Sequence, residues 1–85
     1  MKLDLRARHE LLSRISSNPD ILRGRPRIKG TRIAVSMILE AAVTLGSLEE
    51  IQVQWPELSK EDVQAALLYG ARSTNYEWIT LHDED

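Results

Sequence analysis

Five cations stand within ten residues of this chain: Arg23, Arg25, Arg27, Lys29 and Arg32, with no acidic side chain anywhere between residues 21 and 39. β-Branched residues at 28, 31, 33 and 35 and a proline at 26 favour strand over helix here. Lys29-Gly30 offers a tight turn, in which glycine takes the positive φ that other residues avoid. The predicted hairpin pairs Ile28 with Thr31, Arg27 with Arg32 and Pro26 with Ile33. One face then carries Pro26, Ile28, Thr31, Ile33 and Val35; the other carries Arg25, Arg27, Arg32 and Ala34. Like charges directly opposite on a ribbon destabilise it by about 0.2–1 kcal/mol. An anion lying over them would remove that cost. The planar guanidinium fork suits phosphate oxygens and the O6/N7 edge of guanine, and a two-stranded ribbon is narrow enough for a DNA groove. Nucleic acid is therefore the expected ligand. An acidic protein surface is a second possibility, and the plain structural alternative is an edge hairpin whose charges block sheet-to-sheet pairing.

Other chemistries fail on residue type or spacing. Cysteine is absent, which excludes disulfides, thiolate metal ligands and thiol nucleophiles. His9 and His82 have no ligand partner at helical spacing and read as solvated residues, so no metal site is expected. Gly24 to Gly30-Thr31 superficially suggests a phosphate loop, but Lys29 precedes the second glycine instead of following it. The acids at 49, 50, 57, 61 and 62 are accounted for by helix caps and solvated faces. No catalytic set emerges; the chain is expected to be neither an enzyme nor cofactor-dependent.

The elements that must hold the basic ribbon are helical. Residues 3–15 place Leu3, Ala7, Leu11, Leu12 and Ile15 on one helical stripe, and Ser16 to Asp20 form a break around Asn18-Pro19. After the ribbon, Ser36 is the predicted cap of a helix with the stripe Ile38, Ala41, Ala42 and Leu45, ended by Gly46. Ser47 to Glu50 reads as a capping box for a second helix facing inward through Leu48, Ile51 and Trp55, and Pro56 stops it. Ser59 to Asp62 starts a third, with Val63, Ala66, Leu67 and Gly70 on one face. Residues 56–58 have the length of a helix-turn-helix corner. Two acids at the head of the following helix would meet phosphates badly, so the corner is expected to act as scaffold and the hairpin as the DNA contact.

The net charge of −2 conceals a polarised chain: residues 21–39 carry +5 and residues 40–85 carry −8. Such asymmetry points to an anionic partner for the basic block and a different one for the acidic end. No apolar run approaches a membrane span, and the N-terminus lacks the apolar stretch of a secretion signal; with no cysteine, these features favour a cytoplasmic location without membrane attachment. At 85 residues the chain fits one domain. A core this size supplies only about 3–5 kcal/mol by itself, so a homodimer is expected. The last residues hold Tyr76, Trp78, Ile79 and Leu81 ahead of Asp83-Glu84-Asp85. That cluster either packs back on the domain or on a dimer mate, or anchors a partner protein.

The run from Ile15 to Val35, then Leu39-Glu40, Gly46 to Ile51, Trp55 to Leu58 and Asp62 to Leu67, resembles the family known as DUF433. The likeness covers about residues 14–72, and its Gly-x-Pro-x-Ile-x-Gly-Thr-Arg-Ile core falls on Gly24, Pro26, Ile28, Gly30, Thr31, Arg32 and Ile33. The resemblance implies a mainly α, small helix-turn-helix domain of homeodomain-like or winged-helix type with one β-hairpin. It further implies an antitoxin of a type II toxin–antitoxin pair that neutralises a PIN-like ribonuclease toxin, dimerises, and regulates its own transcription by binding operator DNA. Arg25 and Arg27 depart from the apolar or small residues usual in the family, and residues 1–14 and 73–85 lie outside the likeness. The combined expectation is a single domain with a core at 14–72 and an interaction tail at 73–85. DNA would bind at Arg23, Arg25, Arg27, Lys29 and Arg32, and the partner at Tyr76, Trp78, Ile79 and Leu81. A module that holds a partner enzyme and never touches DNA is the alternative.

Overall fold

The structure is a computed structural model and describes residues 5–73. In chain order it contains α1 (Leu5–Leu12), β1 (Ile15–Ser16), a 3-10 turn (Leu22–Gly24), β2 (Arg27–Ile28), α2 (Val35–Leu45), α3 (Leu48–Gln54) and α4 (Lys60–Ser73). It is mainly helical with one small antiparallel sheet, as expected. α4 packs against both α1 and α2, and α3 packs on α2. The core is aliphatic: Ile28, Ile33, Val35, Ile38, Ile51, Leu58, Val63 and Ala66 are all buried in one cluster.

Most helix ends follow from local chemistry. Gly46 closes α2 in the left-handed conformation at φ 84°, its N–H donating to the Ala42 carbonyl. Ser47 accepts from the Glu50 N–H at 3.1 Å and so caps α3. At the corner, Ser59 Oγ accepts from the Asp62 N–H at 3.0 Å while Asp62 Oδ2 accepts from the Ser59 N–H at 2.9 Å. This reciprocal box satisfies two otherwise orphaned donors. α2 departs from the expectation: its N-cap is Ala34, not Ser36, and makes no side-chain bond. The helix starts earlier because Val35 is tied by its N–H to the Pro26 carbonyl at 2.9 Å, which fixes the chain at the first helical turn. In α4 the buried residues are Val63, Ala65 and Ala66, whereas Leu67 is 43% exposed. Gly70 lets α4 approach α2 closely, since a β-carbon there would come within 2.9 Å of Leu39 Cδ1.

Asp62 does more than cap. Its Oδ1 accepts from Arg14 Nη1 at 3.2 Å, and Arg14 also reaches Glu10 at 3.2 Å. The bond to Asp62, ahead of the pair with Glu10, holds the Arg14 guanidinium pKa above its ordinary value. Arg14 follows α1, so this bridge fastens the entry to β1 onto the head of α4. Asp62→Ala removes a cap and a part-buried ion pair together and is expected to lower the urea unfolding free energy by about 1–2 kcal/mol. Glu10→Ala, on an exposed pair four residues apart, should change it by less than about 0.5 kcal/mol.

Candidate nucleic-acid interface

The basic block is held by β2 in a register that differs from the expected one. β2 pairs with β1, Ile15 opposite Ile28 and Ser16 opposite Arg27. On its other side Arg27 lies opposite Ala34, and the Ile28 N–H donates to the Ile33 carbonyl at 3.1 Å. The turn at Lys29-Gly30 does form, with the Thr31 N–H donating to the Ile28 carbonyl at 3.0 Å and Gly30 at φ 83°. Past it the pairing is displaced by two residues. Arg27 therefore does not face Arg32, and the repulsion argument drawn from that pair does not apply.

Thr31 explains the displacement. Its hydroxyl donates to the Ile28 carbonyl at 2.8 Å and accepts from the Ile33 N–H at 3.0 Å. One side chain thus takes the place of a ladder rung, and Thr31 and Arg32 become part of a wider loop. The gain is apolar: Ile28 and Ile33 meet as neighbours, both buried.

Arg27 is the second correction. It is 8% exposed, the buried charged residue of the described chain. Its Nη1 donates to the Thr31 carbonyl at 3.0 Å and, at 3.4 Å, to the Ile28 carbonyl, while Nε has no partner. The guanidinium is spent on the loop beside it, so Arg27 is withdrawn from the set of DNA contacts. It braces the loop that carries Lys29 and Arg32.

The remaining four cations are exposed: Arg23, Arg25, Lys29 and Arg32. Among the described residues none of them makes an ion pair, and both ion pairs found belong to Arg14. Their backbone is tightly defined. Lys29 N–H donates to the Arg14 carbonyl at 2.8 Å. Arg25 donates through Nε to the Leu22 carbonyl at 3.2 Å. Leu22 and Arg23 adopt positive φ of 54° and 57°, followed by Gly24 at 81°. Two consecutive left-handed residues that are not glycine cost of order 1–3 kcal/mol each, a strain found most often where a segment is held for a purpose. The Asp20 N–H, donating to Asn18 Oδ1 at 2.8 Å, and the Ile21 N–H, donating to the Asn18 carbonyl at 2.9 Å, close the loop ahead of them.

The α3–α4 corner carries no comparable charge: Lys60 is followed by Glu61 and Asp62, and Asp62 is engaged with Ser59 and Arg14. His9 is exposed, as read from its surroundings, and the described residues contain no cluster of side chains able to hold a metal. No helix of the described residues is long and apolar enough to cross a membrane. Tyr76, Trp78, Ile79, Leu81 and His82 lie outside the described residues.

Residues 15–70 match the family described as "Protein of unknown function (DUF433)". The chain belongs to the DUF433 family. It is also 35% identical over 66 residues to the uncharacterized protein y4eO of Sinorhizobium fredii (strain NBRC 101917 / NGR234). That match covers 78% of this chain and 28% of the relative, so the chain spans little more than a quarter of the protein it resembles. No solved structure matches it. Within the DUF433 core the geometry gives its Gly-Thr-Arg-Ile run separate tasks. Gly30 supplies the turn, Thr31 replaces a rung, Ile33 fills the core and Arg32 remains in solvent.

Proposed function

We propose that this DUF433 protein is the antitoxin of a type II toxin–antitoxin pair, a cytoplasmic homodimer that holds a PIN-like ribonuclease and binds operator DNA through Arg23, Arg25, Lys29 and Arg32. The observation that carries the DNA contact is the exposure of these four cations, Lys29 and Arg32 on the loop that Arg27 braces and Arg23 and Arg25 at the preceding 3-10 turn, none of them in an ion pair among the described residues. Solvated cations that no acid neutralises are free to displace the counterions of a phosphate backbone. Arginine forks can do so with two parallel bonds each. The partner role comes from the family likeness and from the apolar, acidic C-terminal segment.

A gel shift on the DNA upstream of the gene tests the contact. With four phosphate contacts, affinity should fall about a hundredfold between 50 and 200 mM salt, and each neutralised cation should lower the logarithmic salt slope by about 0.9. Arg25→Glu with Arg32→Glu should abolish the shift. Binding that survives both changes and ignores salt would leave the second reading, a protein-interaction module alone. That second reading draws on Val43 of α2 and Val53 of α3, which are 87% and 78% exposed.

A further inference from the structure

Arg14 joins three parts of the molecule. Its N–H donates to the Leu11 carbonyl at 3.0 Å, in the turn that ends α1. Its carbonyl accepts from the Lys29 N–H at 2.8 Å, where the chain leaves β2 for the basic turn. Its Nη1 donates to Asp62 Oδ1 at 3.2 Å at the head of α4, and Nη2 pairs with Glu10. Nε is buried and has no partner among the described residues. Asp62 Oδ2 accepts from the Ser59 N–H at 2.9 Å, so the carboxylate that holds Arg14 is itself fixed by the cap of α4.

The strand ladder gives Lys29 little support. β1 and β2 pair over two residues each, Ile15 with Ile28 and Ser16 with Arg27. The bond from Lys29 to Arg14 lies beyond the first of these pairs, at an open end, where the Ser13 and Arg14 N–H groups have turned back to His9 and Leu11. What keeps the Arg14 carbonyl in place there is its own side chain, tied to a carboxylate 48 residues on. On the far flank of the turn, Arg27 Nη1 holds the Thr31 carbonyl at 3.0 Å. Arg14 and Arg27 thus grip the turn at either end, and Lys29 and Arg32 are its exposed cations.

We propose that Arg14 is a positioning residue for the nucleic-acid contact: anchored to Asp62, it sets through its carbonyl where Lys29 and Arg32 present their charge. The role in binding rests on the DNA reading above; the anchoring of Lys29 does not. The Arg14 guanidinium is engaged by two carboxylates, so it acts through the turn and not on phosphate. It stands one residue ahead of the span that matches DUF433.

Amide hydrogen exchange of the 85-residue chain tests the anchor. Arg14→Met keeps the aliphatic stem and removes both ion pairs. The Lys29 amide should then exchange at least about fivefold faster relative to the Ala42 amide inside α2, which reports global opening. Arg14→Lys loses no bond at the already unpartnered Nε and can still reach Asp62, so it should restore the ratio to within about twofold. Equal acceleration of both amides would make Arg14 a contributor to general stability and overturn the proposal. So would Lys29 protection that survives Arg14→Met or is not recovered by lysine.

Gel shifts on the upstream duplex at about 50 mM salt test the consequence. Arg14→Met should weaken binding about tenfold in the otherwise unchanged chain, but less than about twofold in one already carrying Lys29→Gln and Arg32→Gln. A residue acting through those two side chains has nothing left to act on once they are gone. Equal losses in both chains would refute the positioning role in binding. Duplex bound by none of these proteins would defeat the DNA reading and leave the exchange result to decide the anchor.

Discussion

Arg27→Ala should lower the unfolding free energy by about 2–4 kcal/mol, while Arg27→Met should cost less than about 1 kcal/mol. Two effects compete at this site. The guanidinium donates to the Thr31 carbonyl at 3.0 Å and more weakly to Ile28, and bonds from a charged donor contribute about 1.5–3 kcal/mol each when well formed. Against that stands the desolvation of a charge that is 8% exposed, makes no ion pair among the described residues and leaves Nε unpartnered there. The two nearly cancel, so the head group contributes little net stability. The buried aliphatic stem is a different matter: methionine keeps its volume and alanine leaves a cavity. The Ile28 carbonyl remains satisfied in either variant by the Thr31 N–H and hydroxyl. Urea titration of the three proteins should therefore give the order wild type, methionine, alanine, with the largest step last. The same pair bears on function. A buried cation releases no counterions, so Arg27→Met should leave the salt slope of DNA binding unchanged, whereas Arg32→Gln should reduce it. A slope that drops equally for both would return Arg27 to the interface.

The expected and observed structures part at β2 for a reason that belongs to strands. Side chains alternate with a period of two, so a one-residue slip inverts every face but a two-residue slip preserves them. Pro26, Ile28, Ile33 and Val35 sort together in either register, and the alternation could not choose between them. The choice is made by the Thr31 hydroxyl and by the Arg27 guanidinium over the loop, neither of which has a periodic signature. β1 is invisible for a related reason: two residues show no period, and Ile15 continues the stripe of the preceding helix. Helix ends at Gly46, Ser47 and Ser59 were legible because their chemistry lies within four residues of the sequence. The Arg14–Asp62 bridge joins residues 48 apart, and nothing local announces it. The cations themselves were readable from composition. Which of them is buried was not, since charge patterning says how many cations a segment holds and not which way each one turns.

Ile38→Ala should be the most damaging single substitution in the core, and its effect tests whether the chain can stand without a partner. Ile38 is 0% exposed and lies on α2, the helix that both α3 and α4 pack against. Removing its branched side chain combines lost transfer energy with a cavity, about 3–4 kcal/mol where three elements meet and none can collapse freely. A core of this size supplies only about 3–5 kcal/mol in isolation. An isolated monomer carrying the change should therefore be substantially unfolded at 25 °C, visible as loss of helical circular dichroism. Val43→Ala gives the comparison. That side chain is 87% exposed on the same helix and should cost less than about 0.5 kcal/mol if it faces only water. If the protein is a dimer that closes over α2, the pattern changes in a defined way. Ile38→Ala would then keep its helicity at high protein concentration and lose it on dilution, because association adds free energy that the monomer lacks. Val43→Ala would at the same time shift the concentration at which the wild-type helices melt. Unfolding of Ile38→Ala that is independent of concentration, with Val43→Ala silent, would place the whole stability of the fold within one chain.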